Sequence, residues 1–383
     1  MVIERWLFRI IVFLAATFSL MVYLYNFHHE KVLFLAEAPK PLTNQQAALM
    51  AKLKKKHFVD VLAIDGGGLR GLISLQVLIY LEKKTGKPIN QLFDVIGGTS
   101  TGAIIATFLT QPDQQGKPLY SAQELSDTYQ ALGQRLLATS ILHQVLTLGG
   151  VFGPVHDIKR LDRASIDYLG KNSVFNNSLA MVIIYTYSVT EMELKAIKSW
   201  DIGSDFHHFN THHLLLSAIA VPAFFLPVAL TLNKSHPPSV FIDSAVTLEN
   251  PALQTIREIS NEFPGKKYNV LSLGSGLSES GIVSKSNRYG FHGLLFWARV
   301  VPGVSMRGEQ DKVSRYLHDL EIEKTGPVAH YLRITPDIYI PSQCNLFSTD
   351  DFCIASFKKI GQEAVQQNKK QLDEFAKLLV ENN

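Results

Sequence analysis

Leu92 to Ile96 is an apolar run, Gly97-Gly98-Thr99-Ser100-Thr101-Gly102 follows it, and Ala103-Ile104-Ile105-Ala106-Thr107-Phe108-Leu109 is apolar again. The first run has strand length and the second the continuous apolarity of a buried helix, so the stretch reads as strand, sharp turn, helix. Within it Gly98, Ser100 and Gly102 make the pattern G-x-S-x-G. In that context the serine is a nucleophile candidate: its Oγ is raised on a strained turn, and the flanking glycines let neighbouring backbone approach. Ser100 also heads the helix, whose dipole favours the negative charge that develops at an attacked carbonyl. The plainer reading is a small-residue turn that packs a strand on a helix.

Upstream, Phe58 to Ile64 is a short run with β-branched residues, bounded by Asp65-Gly66-Gly67-Gly68. Leu72, Leu75, Leu78 and Ile79 then recur at helical spacing. This is a second strand, glycine loop and helix. Gly66 to Gly71 fits G-x-G-x-x-G, and amides exposed at such a turn hold either a phosphate or an oxyanion. A dinucleotide site calls for a strand ending in an acidic residue about 20 positions on. That region is Glu82 to Pro88, a helix end and turn, which favours the oxyanion.

A serine nucleophile needs a base. Of the thirteen histidines none sits in a late turn–strand context, and His318 and His330 lie in or near charged, helix-like segments. A carboxylate fits better. Ser239-Val240-Phe241-Ile242 reads as a strand ending in Asp243-Ser244-Ala245, before Glu249-Asn250-Pro251-Ala252 breaks into a helix. Asp243 is placed like a catalytic group at a strand end, and equally like a turn or N-cap aspartate.

These elements, in this order, resemble the patatin-like phospholipases, whose pattern is G-G-G-x-R/K-G, then G-x-S-x-G, then D-G-G/A. Ser217 to Phe225 resembles the family's small-residue block ending in a proline and an aromatic, and Leu271 to Gly276 its late strand ending in Gly-Thr-Gly. The similarity covers roughly Val59 to Gly276. It implies a Ser100–Asp243 dyad without histidine, an oxyanion loop made of Gly66, Gly67, Gly68, Arg70 and Gly71, and an elbow flanked by Gly98 and Gly102. Ser244 and Ala245 complete the aspartate motif, and no metal or cofactor is implied. Ser244 departs from the family's glycine; serine tolerates a positive φ less well, so an altered backbone at Asp243 or reduced activity is expected if one is needed there.

Composition sets the frame. The chain has 383 residues, 46% hydrophobic and 19% charged, with a net charge of +3. That is enough for one large α/β domain or two small ones, and it argues against a nucleic-acid partner with a broad basic face. Ile10 to Phe27 runs 18 residues without a formal charge. Such a length spans a bilayer core. A cleaved signal peptide competes, with Arg5 and Arg9 as its basic region and Ala36-Glu37-Ala38 as the cleavage site, and so does a buried core helix. Ala38 to Gln46 reads as a linker, and Lys52, Lys54, Lys55 and Lys56 as a solvated face or a contact for anionic headgroups.

Other stretches carry weaker signals. His207-His208-Phe209-Asn210-Thr211-His212-His213 reads as a polar loop entering a helix rather than a metal site, lacking the Glu of H-E-x-x-H. Phe291 to Trp297 fits core packing or a membrane-contacting flap. Cys344 and Cys353 either pair or stay free thiols. Phe357 to Val380 reads as one amphipathic helix.

The expected architecture is therefore α/β, a three-layer sandwich with a mostly parallel central sheet behind an N-terminal transmembrane helix. Residues 1–37 are the anchor or signal peptide, 38–57 the linker and basic segment, 58–280 the catalytic domain and 281–383 a C-terminal helical extension. The expected activity is hydrolysis of carboxylic esters of membrane lipids, as a phospholipase A or lysophospholipase, with a phospholipid or other acyl lipid as substrate and the membrane as partner. The rivals are an acyltransferase or general esterase using the same dyad, and a catalytically weak lipid-binding or scaffold protein.

Overall fold

The computed structural model describes residues 2–27, 32–39, 41–151, 153–233, 235, 237–278, 294–324, 326–338 and 344–383. Side chains are described from Ile10 to Leu24 in the first helix and from Gly303 onward in the helix Leu294–Glu323. In chain order the strands are β1 (Val32–Leu35), β2 (Phe58–Ile64), β3 (Val95–Gly98), β4 (Met181–Ser188), β5 (Glu193–Lys198), β6 (Val228–Thr231), β7 (Ser239–Asp243), β8 (Lys267–Leu273), β9 (Leu277–Ser278), β10 (Val328–Ile334) and β11 (Asp337–Ile338). Nine form one sheet in the order β1-β6-β7-β4-β3-β2-β8-β10, with β5 also on β4; β9 and β11 pair separately.

Period-two alternation builds the layers. On β2, Leu62 and Ile64 enter one core while Val59, Val61 and Ala63 enter the other; on β4, Val182 and Ile184 oppose Met181, Ile183 and Tyr185. The first core is closed by helices Gly71–Thr85, Thr101–Phe108, Ala122–Leu136, Ile158–Leu169, Thr211–Ile219, Asp351–Gln367 and Lys369–Asn382. The second is closed by Asn44–Lys55, Ala252–Glu262 and Leu294–Glu323. Strands buried on both faces read as near-continuous apolar runs, as β2 does apart from Asp60 and as β4 does over Met181–Tyr185. The sheet is mixed: β2, β3, β8, β10 and the first half of β4 are parallel, whereas β7 runs antiparallel to β4 and β6.

One register places the site. β4 pairs with β3 as far as Gly98↔Ile184, and with β7 from Thr186↔Asp243 onward. Both strands lie on the edge of β4 opposite β5, which pairs across the same residues. β3 runs parallel and β7 antiparallel, so their C-terminal ends meet head-on along that edge.

Several expectations change. Leu92 closes a short helix, Ile89–Leu92, begun after Pro88, and the strand starts only at Val95; proline's fixed φ suits a helix start. The segment expected as a linker is ordered: Thr43 caps the helix Asn44–Lys55 by accepting from the Gln46 amide, and Leu53 is buried. Within it Lys52 and Lys56 pair with Asp94, and Lys56 also with Asp60, so these two are committed to carboxylates. Val32–Leu35, expected within the anchor, instead pairs with β6 as an edge strand. The C-terminal stretch is two helices broken at Asn368, whose side-chain amide donates to the Ala364 carbonyl.

The N-terminal run is helical, Val2–Phe27. Among the described residues no helix is long and apolar enough to cross a membrane. The expected transmembrane helix is therefore not found among them. Residues 291–293 of the aromatic stretch lie outside the described residues.

Candidate active site

Ser100 stands between β3 and the helix Thr101–Phe108 with φ 52° and ψ −119°. That conformation is sparsely populated for a non-glycine residue and persists where surrounding structure over-determines it. The surroundings are tight. A Cβ at Gly102 would lie 2.0 Å from the Ile64 carbonyl oxygen, and one at Gly98 2.3 Å from the Gly102 oxygen. The two glycines let the turn nest against β2, which presses Ser100 into its strained pose.

Ser100 Oγ donates to Asp243 Oδ2 at 2.6 Å. Asp243 Oδ1 accepts from the Ala245 amide at 2.8 Å, and the Asp243 amide donates to the Ala220 carbonyl at 3.0 Å. Both carboxylate oxygens are thus held in place. Asp243 is fully buried. Burial pushes its carboxyl up to about 6, against the lowering hydrogen bonds from Ser100 and Ala245, because desolvation disfavours the charged form. Ser244 starts a 3₁₀ turn, Ser244–Val246, and is not among the residues with positive φ. The strain expected of serine there is absent: this backbone position makes no demand for glycine.

The glycine loop lies beside Ser100. Gly66 donates to the Glu249 carbonyl at 3.4 Å, Leu69 to the Leu346 carbonyl at 2.8 Å and Arg70 to the Gly67 carbonyl at 3.2 Å, while Gly71 bonds back to Gly68 as its helix begins. Of the five residues expected to form the oxyanion loop, only Gly67 and Gly68 keep amides without a protein acceptor among the described residues. The Thr101 amide, at the start of the helix Thr101–Phe108, is free in the same sense. Reading the residue after the candidate nucleophile as a donor would have found it. Arg70 sits beside Glu249; loss of hydration lowers its pKa and Glu249 raises it.

An apolar cavity of about 110 Å³ opens beside Ser100, with Gly67, Gly68, Leu132, Leu136, Ile219, Phe225, Leu346 and Phe347 in its wall. The histidine cluster is elsewhere in the bonding pattern: His212 Nδ1 bonds Asp162 at 2.8 Å and His208 Nδ1 the Glu37 carbonyl at 3.3 Å.

The patatin-like phospholipase family model matches residues 62–256, just over half of the chain. The chain belongs to the patatin-like phospholipase family. Patatin-like protein 2 of Arabidopsis thaliana is 30% identical over 275 residues, which are 63% of this chain and 65% of that protein. Patatin-T5 of Solanum tuberosum is 25% identical over 84% of this chain and 90% of its own length. Human GIVD cytosolic phospholipase A2 superposes with a TM-score of 0.48 at 9% identity, covering 88% of this chain and 64% of that chain, too remote a likeness to argue from.

The patatin-like domain is braced by residues that local motifs did not reveal. Asp65, directly before the glycines, receives Arg333 Nη1 at 2.7 Å, and the same nitrogen bonds Ser272 Oγ at 2.8 Å. Glu249 lies under the loop: a Cβ at Gly66 would meet its Oε2 at 2.9 Å and Ser100 Cβ at 3.3 Å. Burial pushes the Glu249 carboxyl well above the usual range, and the neighbouring Asp65 raises it further.

Proposed function

We propose that the chain hydrolyses carboxylic esters of acyl lipids, as a phospholipase A or lysophospholipase, through Ser100 and Asp243. The observation that carries this reading is the 2.6 Å hydrogen bond from Ser100 Oγ to Asp243 Oδ2 beside an apolar cavity of acyl character. As Ser100 Oγ attacks the ester carbonyl, its proton passes to Asp243 Oδ2. The carbonyl oxygen becomes the oxyanion and takes the amides of Gly67, Gly68 and Thr101; one such donor is worth about 3 kcal/mol of barrier. Collapse expels the alcohol, which takes the proton from Asp243. Water then attacks the acyl-enzyme with Asp243 as base, and the fatty acid leaves as Ser100 recovers its proton.

The test is hydrolysis of defined phospholipids by the wild type beside Ser100→Ala and Asp243→Asn, with fluorophosphonate labelling of Ser100 as a direct check. Wild-type rates in either variant would end the dyad reading. Product analysis with added acceptor alcohols separates hydrolysis from acyl transfer.

We also propose that residues 1–37 hold the enzyme at a lipid surface. The supporting observation is the uncharged run Ile10 to Phe27, whose side chains Ile11, Phe13, Leu14 and Leu20 are exposed. The uncleaved reading is favoured by β1: cleavage after Ala38 would remove this strand from the sheet. Retention of the full chain, but not of a variant lacking residues 1–27, in a membrane fraction is the expected result.

A further inference from the structure

Residues 344–353 form a loop closed by the Cys344–Cys353 disulfide, with Cα atoms 5.5 Å apart. The loop has its own local frame: Phe347 N–H donates to Asn345 Oδ1 at 2.8 Å and Asn345 N–H to Ser348 Oγ at 2.8 Å. At its far end Asp350 caps the helix Asp351–Gln367 by accepting from the Cys353 amide. The Thr349 carbonyl accepts from Gln130 Nε2 at 3.1 Å.

This loop reaches the site described above. Leu346 and Phe347 are both in the cavity wall. The Leu346 carbonyl accepts from the Leu69 amide, and a Cβ at Gly68 would lie 2.2 Å from that same oxygen. Phe347 rests on Phe224, ring centroids 4.2 Å apart, and 6.2 Å from the His156 ring. This part of the wall is therefore an irregular segment. Among the described residues its attachments include one carbonyl on the glycine loop, one shared by Gln130 and Gln134, an aromatic contact, a capped helix end and the disulfide.

We infer that this disulfide-closed loop is the specificity-determining wall of the acyl site, with Leu346 and Phe347 selecting the chains the cavity accepts and the Cys344–Cys353 bond holding them to it. The inference rests on the acyl-hydrolase reading in taking an acyl chain as the cavity's occupant. Ser100 and Asp243 are carried by β3 and β7, not by the loop, so loosening it acts on chain selection more than on the dyad. Dithiothreitol opens the bond by thiol–disulfide exchange: two electrons and two protons pass to the cysteine sulfurs and the dithiol closes to its cyclic disulfide.

The experiment compares p-nitrophenyl butyrate, octanoate and dodecanoate as substrates of the full chain, oxidised, reduced and reoxidised, and of Phe347→Ala and Cys344→Ser/Cys353→Ser. In parallel, binding of a dansylated fatty acid to Ser100→Ala is measured before and after reduction. Reduction and Phe347→Ala are expected to lower kcat/KM for dodecanoate about tenfold relative to butyrate, with reoxidation restoring the profile of the disulfide-bonded chain. An unchanged chain-length profile in both the reduced protein and Phe347→Ala overturns the inference. If the wild type hydrolyses none of the esters, the acyl-hydrolase reading fails and the binding arm decides: affinity that falls on reduction upholds the loop's role, and affinity that does not change overturns it.

Discussion

Gly98 and Asp243 pair with residues only two apart on one edge of β4, Ile184 and Thr186, from strands that run toward each other. Ser100 follows Gly98 by two residues and so emerges where β7 ends. The 143-residue separation between Ser100 and Asp243 is closed by this register. Asp243→Asn removes the proton acceptor while keeping shape and packing, and a general base contributes about 10²–10⁴ in rate. kcat is expected to fall by that factor, with the circular dichroism spectrum unchanged.

The pH profile follows from the same carboxylate. In the proposed mechanism Asp243 is a base only when ionised, and burial pushes its carboxyl up to about 6. Below that value kcat/KM is expected to fall as pH falls, approaching tenfold per unit, and above it to level off. A profile without an acidic limb near 6 would assign the limb elsewhere.

Stability should move the opposite way. The folded pKa of Asp243 is raised from 3.8, so the folded state holds its proton more tightly than the unfolded chain does. That contribution is full below about 4 and is lost as pH rises through about 6. The loss amounts to at most about 3 kcal/mol at 1.36 kcal/mol per unit. Asp243→Asn, which never ionises, is expected to be stabilised more at pH 8 than at pH 4 in urea titrations. Equal effects at both pH values would show that burial of this charge costs little.

Gly68 adopts φ +56° with the Leu346 oxygen where a Cβ would go. Gly68→Ala must displace either the loop or residue 346, at about 1–3 kcal/mol of strain. Activity is expected to fall by at least tenfold, read as lost kcat with an active-site titration confirming that the protein is folded.

Arg333 is buried against Asp65. Removing one member of a buried pair leaves an uncompensated charge, at about 3–5 kcal/mol, whereas replacing both with apolar residues is often neutral. Arg333→Met is expected to lower the urea midpoint strongly, and Asp65→Leu/Arg333→Met to recover much of the loss. A double variant as unstable as the single one would point to packing instead.

Much of this was legible in the residues. β2 runs over Phe58–Ile64 as its β-branched, glycine-bounded pattern requires, and the turn at Ser100 follows from glycines that only a close backbone approach demands. Asp243 was readable as a strand-end carboxylate because β7 is short and stops at small residues. The boundary at Leu92 was not, since an apolar run of that length suits a buried helix turn as well as a strand.

The sequence by itself marked the two glycine turns and singled out Ser100 and Asp243 as the candidate nucleophile and base, because each depends on steric rules acting over a few neighbouring residues. Tertiary structure alone decided three things: that β3 and β7 meet on one edge of β4, that Ser244 needs no positive φ, and that Arg333, Leu346 and Phe347 from the far end of the chain complete the site. The physical reason is one of range. Backbone sterics and periodicity are local and leave their mark in adjacent letters, whereas strand register, ion pairing and cavity walls join residues that no short pattern connects.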